Sequence, residues 1–311
     1  MIKKTLYFGN PAYLSTRNNQ LVVKLPEVEK NNSLPESFKK QNEVLFPIED
    51  LGVIILDHKQ ITITHDLMGK LLDNNVAFIT CDNKRMPTGL MLPLNGNTTQ
   101  SERYTHQINA TEPLKKNLWQ QTIKAKIANQ AAVLKKHRTC NTRNMLYWAE
   151  SVKSGDPDNY EARAAAYYWK EIFHQLPDFT RRREGIPPNN LLNYGYAILR
   201  AVIARNLVAS GLLPTLGIHH HNRYNAYCLA DDIMEPYRPF VDELILSIVD
   251  TGHDLTELTK ELKSNILQIP TLDVVMGNKK SPLMIAAGQT TASLYQCYAG
   301  KLRKIKYPKI S

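Results

Sequence analysis

The sequence predicts an α+β protein in which a small N-terminal β domain precedes a larger, mostly α-helical domain. Three observations predict this class: short β-branched and aromatic runs up to about residue 95, a polar stretch after them, and long segments with a 3.6-residue apolar period beyond. The 311 residues are enough for two domains, and an apolar fraction of 43% gives each a packed core. We therefore expect a β domain at 1–95, a linker at 96–106 and a helical domain at 107–311.

Six short runs supply the expected strands of the β domain. Turn residues separate them, such as the Gly-Asn-Pro at 9–11. Leu67, Leu71 and Leu72 have helical spacing, so one helix is expected at 65–72. The expected strands are 5–8, 20–25, 53–56, 61–63, 76–80 and 90–94.

A small and polar stretch, Asn-Gly-Asn-Thr-Thr at 95–99, favours a domain boundary close to it. Beyond it the apolar residues recur with the period of a helix, so the second domain should be helical almost throughout. The expected helices are 113–135, 142–152, 159–174, 190–210, 229–249, 255–265 and 281–302.

Composition limits the environment and the partners. There are 39 Lys and Arg against 29 Asp and Glu, and the net charge of +10 favours a polyanion such as nucleic acid. Charged residues such as Arg200 and Arg205 interrupt the longest apolar run, so no membrane span and no membrane partner are expected. The N-terminus lacks the apolar core of a secretory signal, and the four cysteines have no CxxC spacing. We therefore expect a cytoplasmic protein with reduced thiols.

The first segment with chemistry is Gly-Asp-Pro-Asp-Asn-Tyr-Glu at 155–161, a tight turn that leads into a helix. Asp158 and Glu161 have the spacing of a capping box, in which Glu161 only bonds the helix N-terminus. The other interpretation is that Glu161 is a catalytic carboxylate. The local pattern leaves both interpretations open.

A second segment concentrates imidazoles and carboxylates. Asp232 and Glu235 are three residues apart, so on a continuous helix they share one face, and neither has a basic residue four positions earlier. A mixed set of His and carboxylate groups suits Mn²⁺ or Mg²⁺ better than a closed structural zinc site. The consecutive His219, His220 and His221 cannot all point the same way, so at most one or two would be ligands. Spacing does not choose among them, and a polar loop is the alternative.

Positive charge is concentrated in several clusters of the expected helical domain. Most such clusters are solvated helix faces, but several of them in one basic domain favour phosphate contacts. The clusters are Lys115, Lys116, Lys124, Lys126, Lys135, Lys136 and Arg138, then Arg181, Arg182 and Arg183, and finally the tail at 301–309.

At these residues the sequence resembles the CRISPR-associated adaptation integrase, the larger of the two proteins that insert new spacers, and specifically the form that accompanies type II systems. The resemblance covers nearly the whole chain. Five motifs carry it together: Thr-Leu-Tyr-Phe-Gly-Asn-Pro at 5–11, the turn and helix at 155–161, Leu-Leu-Asn-Tyr-Gly-Tyr-Ala-Ile-Leu-Arg at 191–200, Gly-Ile-His-His at 217–220, and Asp-Ile-Met-Glu-Pro-Tyr-Arg-Pro at 232–239.

The resemblance implies the site residues position by position. It makes Glu161, His220 and Glu235 the catalytic residues, which bind Mg²⁺ or Mn²⁺, and it places Asp232 as an auxiliary carboxylate near the metal. It thereby selects His220 from the three histidines. Arginines of the helical domain become candidates for DNA contacts, namely Arg163, Arg200, Arg205, Arg223 and Arg238.

The implied reaction is a transesterification on double-stranded DNA. The 3′ hydroxyl of a short incoming duplex attacks a phosphodiester at the CRISPR repeat boundary and releases a 3′ hydroxyl of the target strand. Water in place of that hydroxyl would give endonuclease activity as a side reaction. The resemblance further implies a homodimer built through the β domains and a heterohexamer with the small second adaptation protein. The type II effector nuclease and an accessory protein are further expected partners.

Two other functions would use the same residues differently. A divalent-metal DNA repair nuclease would have the same ligands with water as nucleophile, and it would give no strand-transfer products. A non-catalytic DNA-binding scaffold would have Glu161 as a helix cap, the histidines as a loop, and Asp232 with Glu235 as a solvated face. In that case Glu161→Ala would cost about 1 kcal/mol and would leave DNA binding intact.

Overall fold

Short apolar strands build the first of the two units into which the chain divides, Met1–Gly96 and Asn97–Ser311. The structure, a computed structural model, describes residues 3–176 and 178–310. The strands of the first unit are β1 (Lys4–Phe8), β2 (Ala12–Arg17), β3 (Gln20–Lys24), β4 (Val44–Pro47), β5 (Leu51–Leu56), β6 (Ile61–Ile63), β7 (Ala77–Cys81) and β8 (Pro87–Met91). Its helices are α1 (Pro26–Glu29), α2 (Glu36–Gln41) and α3 (His65–Asp73).

Two four-stranded sheets form this unit. One has the order β1-β5-β7-β8 and is parallel except between β7 and β8, and the other has the order β4-β3-β2-β6 and is antiparallel except between β2 and β6. Parallel neighbours need a crossover connection, and α3 lies in the connection from β5 to β7. Leu67 and Leu71 of α3 are fully buried in one core with Leu14, Leu51 and Ile54. The β domain and its single longer helix are therefore confirmed.

The sequence predictions omit β2 and β4 and place the last strand too late, at 90–94 instead of Pro87–Met91. Pairing explains the omissions, since β2 is half polar and β4 ends in proline, and both are held by their neighbour β3. Asn18 and Asn19 join β2 to β3 with positive φ angles of 51° and 57°, as a two-residue hairpin turn requires.

The second unit is mostly helical. Its helices are α4 (Gln100–Ile108), α5 (Glu112–His137), α6 (Arg143–Ser151), α7 (Tyr160–Ile172), α8 (Asn189–Ala209), α9 (Cys228–Met234), α10 (Arg238–Asp250), α11 (Lys260–Ile266) and α12 (Leu283–Tyr298). One hairpin, β9 (Asp273–Met276) and β10 (Lys279–Pro282), precedes α12, and the sequence reading did not include it. None of the helices in the described ranges is both long and apolar enough to cross a membrane.

The segment 96–106, predicted as a linker, is a correction, because α4 begins at Gln100 within it. Polar side chains of α4 donate hydrogen bonds to the backbone that follows α8. Arg103 Nη1 donates to Ser210 O at 2.9 Å, and Gln107 Nε2 donates to Leu213 O at 3.0 Å. The polar composition of this segment therefore belongs to a helix whose side chains form hydrogen bonds with backbone carbonyls.

Helix α8 is the centre of this unit and is buried on almost every side. It packs so closely on α10 that a Cβ atom at Gly195 would lie 2.7 Å from Val241 Cγ1. The predicted continuous helix 229–249 is a second correction. The chain forms a 3₁₀ turn at Glu235–Tyr237 between α9 and α10, because Pro236 has no N–H to continue the helical hydrogen bonds.

Candidate active site

Glu161 lies at the start of α7, and its side chain does not cap that helix. The cap is Asp156, whose Oδ1 accepts from Tyr160 N at 3.0 Å and whose Oδ2 accepts from Glu161 N at 2.9 Å. Asp158 instead pairs with Lys153 at 3.0 Å. The capping-box interpretation of Asp158 and Glu161 is therefore wrong, and the Glu161 carboxylate is available for another task.

Glu235 occupies the 3₁₀ turn between α9 and α10, where its carboxylate is almost completely buried. Its Oε1 accepts from Arg238 Nε at 2.7 Å, and the Arg238 guanidinium lies over the Tyr196 ring, 4.5 Å from its centroid. Burial alone would raise the pKa of Glu235, but Arg238 and Lys126 together lower the pKa to about 2. Glu235 is therefore an anion at every working pH.

Lys126 joins the two glutamates. It projects from α5, is 9% exposed, and holds its Nζ 2.6 Å from Glu161 Oε1 and 2.6 Å from Glu235 Oε2. Burial would lower the pKa of Lys126, but the two carboxylates raise it. The sequence placed Lys126 in a DNA-contacting cluster, and this is a correction. Two carboxylates from separate segments thus converge on one cation.

Asp232 is fully buried and organises the loop that carries the histidines. Its Oδ2 accepts from Ile218 N at 2.7 Å and His219 N at 2.9 Å, and its Oδ1 lies 2.5 Å from His220 Nδ1. The turn is tight, because a Cβ atom at Gly217 would lie 2.3 Å from His220 O and 2.8 Å from Asp232 Oδ2. Only glycine fits there without a shift of the loop.

This geometry distinguishes the three histidines. A carboxylate only accepts hydrogen bonds, so Asp232 fixes the proton on Nδ1 of His220 and leaves Nε2 with the free electron pair of the neutral ring. The hydrogen bond that His220 Nδ1 donates to Asp232 raises the pKa of His220. His219 stacks on Trp119 with ring centroids 4.1 Å apart, and His221 is exposed. Asp232 therefore orients the His220 ring through a hydrogen bond, and its carboxylate oxygens are used for that bond and for the loop amides.

The chemical types of the donor atoms, carboxylate oxygen and imidazole nitrogen, suit a hard divalent cation. Glu235 Oε2 is buried and has no well-aligned hydrogen bond, although it is ion-paired with Lys126. Carboxylate oxygens and one neutral imidazole are ligands that Mg²⁺ or Mn²⁺ accepts. Within residues 3–176 and 178–310, no three His, Cys, Asp or Glu side chains already form a metal cluster. Glu161 and Glu235 instead share the Lys126 ammonium.

The structure sorts the five arginine candidates for DNA contacts. Arg163 and Arg223 are exposed, and Arg200 is half-exposed but pairs with Asp231 at 2.7 Å. Arg205 is 8% exposed within α8, and Arg238 is engaged by Glu235 and Tyr196. Arg205 is thus a correction, since a buried guanidinium does not reach a phosphate at the surface. The other four arginines stay predictions.

A cavity of about 400 Å³ lies beside His220. Lys115, His221 and Arg223 contribute cationic or polar groups to its wall, and Tyr298 contributes an aromatic ring. The exposed face of the His220 ring is therefore reached through a concave and basic surface.

Solved structures share this architecture. A casposase bound to its integration product superposes with a TM-score of 0.76 at 20% identity and covers 98% of this chain and 92% of that one. A Cas1 protein from Thermotoga maritima superposes with a TM-score of 0.72 at 16% identity and covers 96% and 98%. The fold thus defines the class, an α+β protein with the architecture of Cas1 and casposase proteins.

Sequence comparison identifies the family. The family model described as CRISPR associated protein Cas1 matches residues 6–271. The CRISPR-associated endonuclease Cas1 of Neisseria meningitidis serogroup C (strain 8013) is 34% identical over 268 residues, which are 85% of this chain and 86% of that protein. The chain therefore belongs to the Cas1 family of CRISPR-associated proteins, as the resemblance predicted. The type II form stays a prediction.

Proposed function

We propose that this chain is the metal-dependent integrase of CRISPR adaptation, which joins the 3′ hydroxyl ends of a short duplex to a CRISPR repeat. One observation carries the proposal: Glu161 and Glu235 converge on a single cation in a Cas1-family chain whose His220 imidazole is oriented by a buried carboxylate. The structural likeness to a casposase bound to an integration product supports joining in addition to cleavage.

Glu161, His220 and Glu235 would hold Mg²⁺ or Mn²⁺, with His220 binding through Nε2. When bound, the ion supplies Lewis-acid stabilisation of the charge that develops on the phosphoryl oxygens. The carboxylates are ready for this role, because the low pKa of Glu235 keeps it ionised and Asp156 leaves the Glu161 side chain unengaged by the helix N-terminus.

The neighbouring residues position the ligands. Asp232 fixes the ring and the tautomer of His220, and Arg238 fixes one oxygen of Glu235 while the other faces Lys126. A divalent ion held by Glu161 and Glu235 would compete with the Lys126 ammonium for the same carboxylate oxygens. The Lys126 ammonium would then provide positive charge beside the phosphodiester.

The chemistry needs no enzyme nucleophile. The bond from the incoming 3′ oxygen to phosphorus forms as the bond from phosphorus to the 3′ oxygen of the target strand breaks, and the target strand leaves with a 3′ hydroxyl. The task of the protein is to hold the phosphodiester and the hydroxyl in line. The basic cavity beside His220 provides a surface for this alignment.

The partners follow from the same proposal. Double-stranded DNA is the substrate, and a small second adaptation protein joins this chain, in keeping with the neighbour titled Cas6-RT-Cas1–Cas2 complex, which superposes with a TM-score of 0.73 at 20% identity and covers 97% of this chain but 36% of that one. The homodimer through the β domains, the heterohexamer, and the type II effector and accessory proteins belong to the proposal as expectations.

Strand transfer tests the function directly. A labelled short duplex with free 3′ hydroxyls is incubated with a supercoiled plasmid that carries the repeat, Mn²⁺, the small partner protein, and wild-type or variant chain. The two variants are His220→Ala and, as the matched control, His253→Ala, which removes an exposed imidazole outside the lining of the cavity.

Joined product that a chelator or His220→Ala abolishes, and that His253→Ala retains, supports the integrase. Plasmid cleavage without joining would favour the divalent-metal nuclease. Joining that persists in His220→Ala would overturn the ligand assignment.

A further inference from the structure

The basic tail is fixed on α5 by its backbone. The segment of residues 301–310, here called the basic segment, lies along α5, where Gln121 clamps it at one end. Gln121 Nε2 donates to Arg303 O at 3.0 Å, and Gln121 Oε1 accepts from Ile305 N at 2.9 Å. The side-chain amide of Gln121 thus pairs with the backbone through both its N–H and its carbonyl oxygen, as the backbone of a neighbouring β-strand would.

A second amide clamps the other end. Asn129, two turns further along α5, donates from Nδ2 to Pro308 O at 3.1 Å and accepts from Ile310 N at 3.2 Å. Asn129 is almost fully buried, so these bonds are shielded from water. Between the two clamps, Thr122 Oγ1 lies 2.8 Å from the Tyr307 hydroxyl.

Helix α12 and β9 hold the same segment from the other side. Lys306 N donates to Ser293 Oγ at 2.9 Å, and Lys306 O accepts from Thr290 Oγ1 at 2.6 Å. Lys309 forms a backbone bridge to Val275. The backbone of the basic segment is therefore fixed along its whole length.

The side chains divide by polarity. Ile305 and Pro308 are buried, whereas the cations are exposed to solvent. The segment contains no acidic residue, and no described carboxylate lies within ion-pair distance of the exposed cations. These cations are Lys301, Arg303, Lys304, Lys306 and Lys309.

We propose that the basic segment is a preformed track for the phosphate backbone of DNA. Arg303 and Lys304 line a groove of about 800 Å³ together with Lys124 of α5. Three cations that line one groove suit a polyanion. The proposal rests on the proposed function only in that DNA is the substrate.

Fixing the segment has an energetic consequence. A mobile basic tail loses conformational entropy when it binds, about 1–2 kcal/mol for each residue that becomes ordered. The clamps of Gln121 and Asn129 have already ordered this backbone in the free protein. Charge and order therefore contribute separately to DNA affinity, and two variants can separate them.

The first variant removes charge. Affinity for a short fluorescein-labelled duplex is measured in EDTA at about 0.05–0.3 M NaCl, so that neither metal binding nor catalysis enters. Lys304→Gln/Lys306→Gln should reduce the slope of log K against log [NaCl] by about 1.8, since each phosphate contact contributes about 0.9. The control, Lys279→Gln/Lys280→Gln, removes two exposed charges of β10 and should leave the slope unchanged.

The second variant removes order. Gln121→Leu keeps every cation but loses both clamp bonds, so affinity should fall about tenfold at an unchanged salt slope, and the Ile305 amide should exchange its hydrogen faster. An unaltered slope in Lys304→Gln/Lys306→Gln would overturn the track, as would an equal loss in the β10 control. Strand transfer is measured in a separate assay, so failure of the integrase proposal would be seen independently of DNA binding by the basic segment.

Discussion

Lys126 and Glu161 form an ion pair across two helices, with Lys126 Nζ 2.6 Å from Glu161 Oε1, and the same ammonium is shared with Glu235. An ammonium that neutralises two metal-ligand candidates stabilises the protein and competes with any divalent ion for the same oxygens. This relationship connects the stability of the helical unit to the chemistry proposed for it.

Replacing Lys126 should make stability depend on the divalent ion. Lys126→Met leaves Glu161 and the buried Glu235 facing each other, so unfolding in EDTA should become easier by about 3 kcal/mol. Mn²⁺ should restore more stability to this variant than it adds to wild type, because no ammonium has to leave. Urea unfolding with EDTA and with MnCl₂ measures both effects.

Lys124→Met is the matched control for this experiment. Lys124 lies two residues earlier on α5 and lines the groove beside the basic segment, away from the glutamates. It should change stability by less than about 0.5 kcal/mol in either medium. Equal responses of the two variants to Mn²⁺ would refute competition between Lys126 and the metal.

Removing the cap of α7 should destabilise the helix that presents Glu161. Asp156→Ala loses the acceptors of Tyr160 N and Glu161 N, at a cost of about 1 kcal/mol. Asp158→Ala removes the other aspartate of the turn, which makes only an exposed pair with Lys153, and should cost less than about 0.5 kcal/mol. Denaturant unfolding of the two variants compares them, and the reverse order would restore Asp158 as the cap.

Asp232 should govern metal affinity through His220. Asp232→Asn places an N–H donor where the Ile218 and His219 amides and the His220 ring need acceptors, so the ring loses its fixed orientation. We expect Mn²⁺ affinity, measured by calorimetry, to fall about 10- to 100-fold. Asp231→Asn, which changes the partner of Arg200 instead, should bind Mn²⁺ as wild type does.

Asp242 should make the stability of the helical unit depend on pH. Burial raises the pKa of Asp242 to about 7, although hydrogen bonds from Tyr196 and Tyr168 and the charges of Arg238 and Arg181 act to lower it. A folded-state pKa above the unfolded value of 3.8 means that the folded protein binds the extra proton. The resulting stability is fully present below about pH 4 and is lost as the pH rises towards 7.

Asp242→Asn tests this pH dependence, because it removes the titrating group and keeps a polar partner for the tyrosines. Relative to the variant, wild type should lose stability between pH 5 and pH 7 at up to about 1.4 kcal/mol per pH unit. Free energies of unfolding at pH 5, 6, 7 and 8 decide the matter. Parallel pH profiles for the two proteins would show that Asp242 does not titrate in this range.

Much of the fold could be predicted from periodicity. The long helices of the second unit were found because a 3.6-residue apolar pattern extends over several turns, as in α5 and α8. The break at Pro236 and the hairpin before α12 were missed for different reasons. A proline that follows the seven residues of α9 and Glu235 is ambiguous, and a four-residue strand has too few residues to show a period.

The candidate site residues were predicted from sequence motifs, but the ion pairs and the helix cap around them were not. Lys126 was grouped with candidate phosphate-contacting cations because the sequence does not show which face of α5 is covered by α7 and the turn at Glu235. Asp156 replaced Asp158 as the cap because Asn159 adopts φ 54°, which brings the earlier aspartate back over the helix N-terminus. Both features depend on contacts or dihedral angles that residue spacing does not encode.

The amide clamps on the basic segment also concern how the chain is made. Gln121 is separated from Arg303 by 182 residues, and at about 5–20 residues per second the ribosome needs roughly 10–35 s to synthesise the intervening chain. During that interval the bonds of Gln121 and Asn129 to the basic segment cannot form. The packing of α5 is therefore completed only after residues 301–310 have been synthesised.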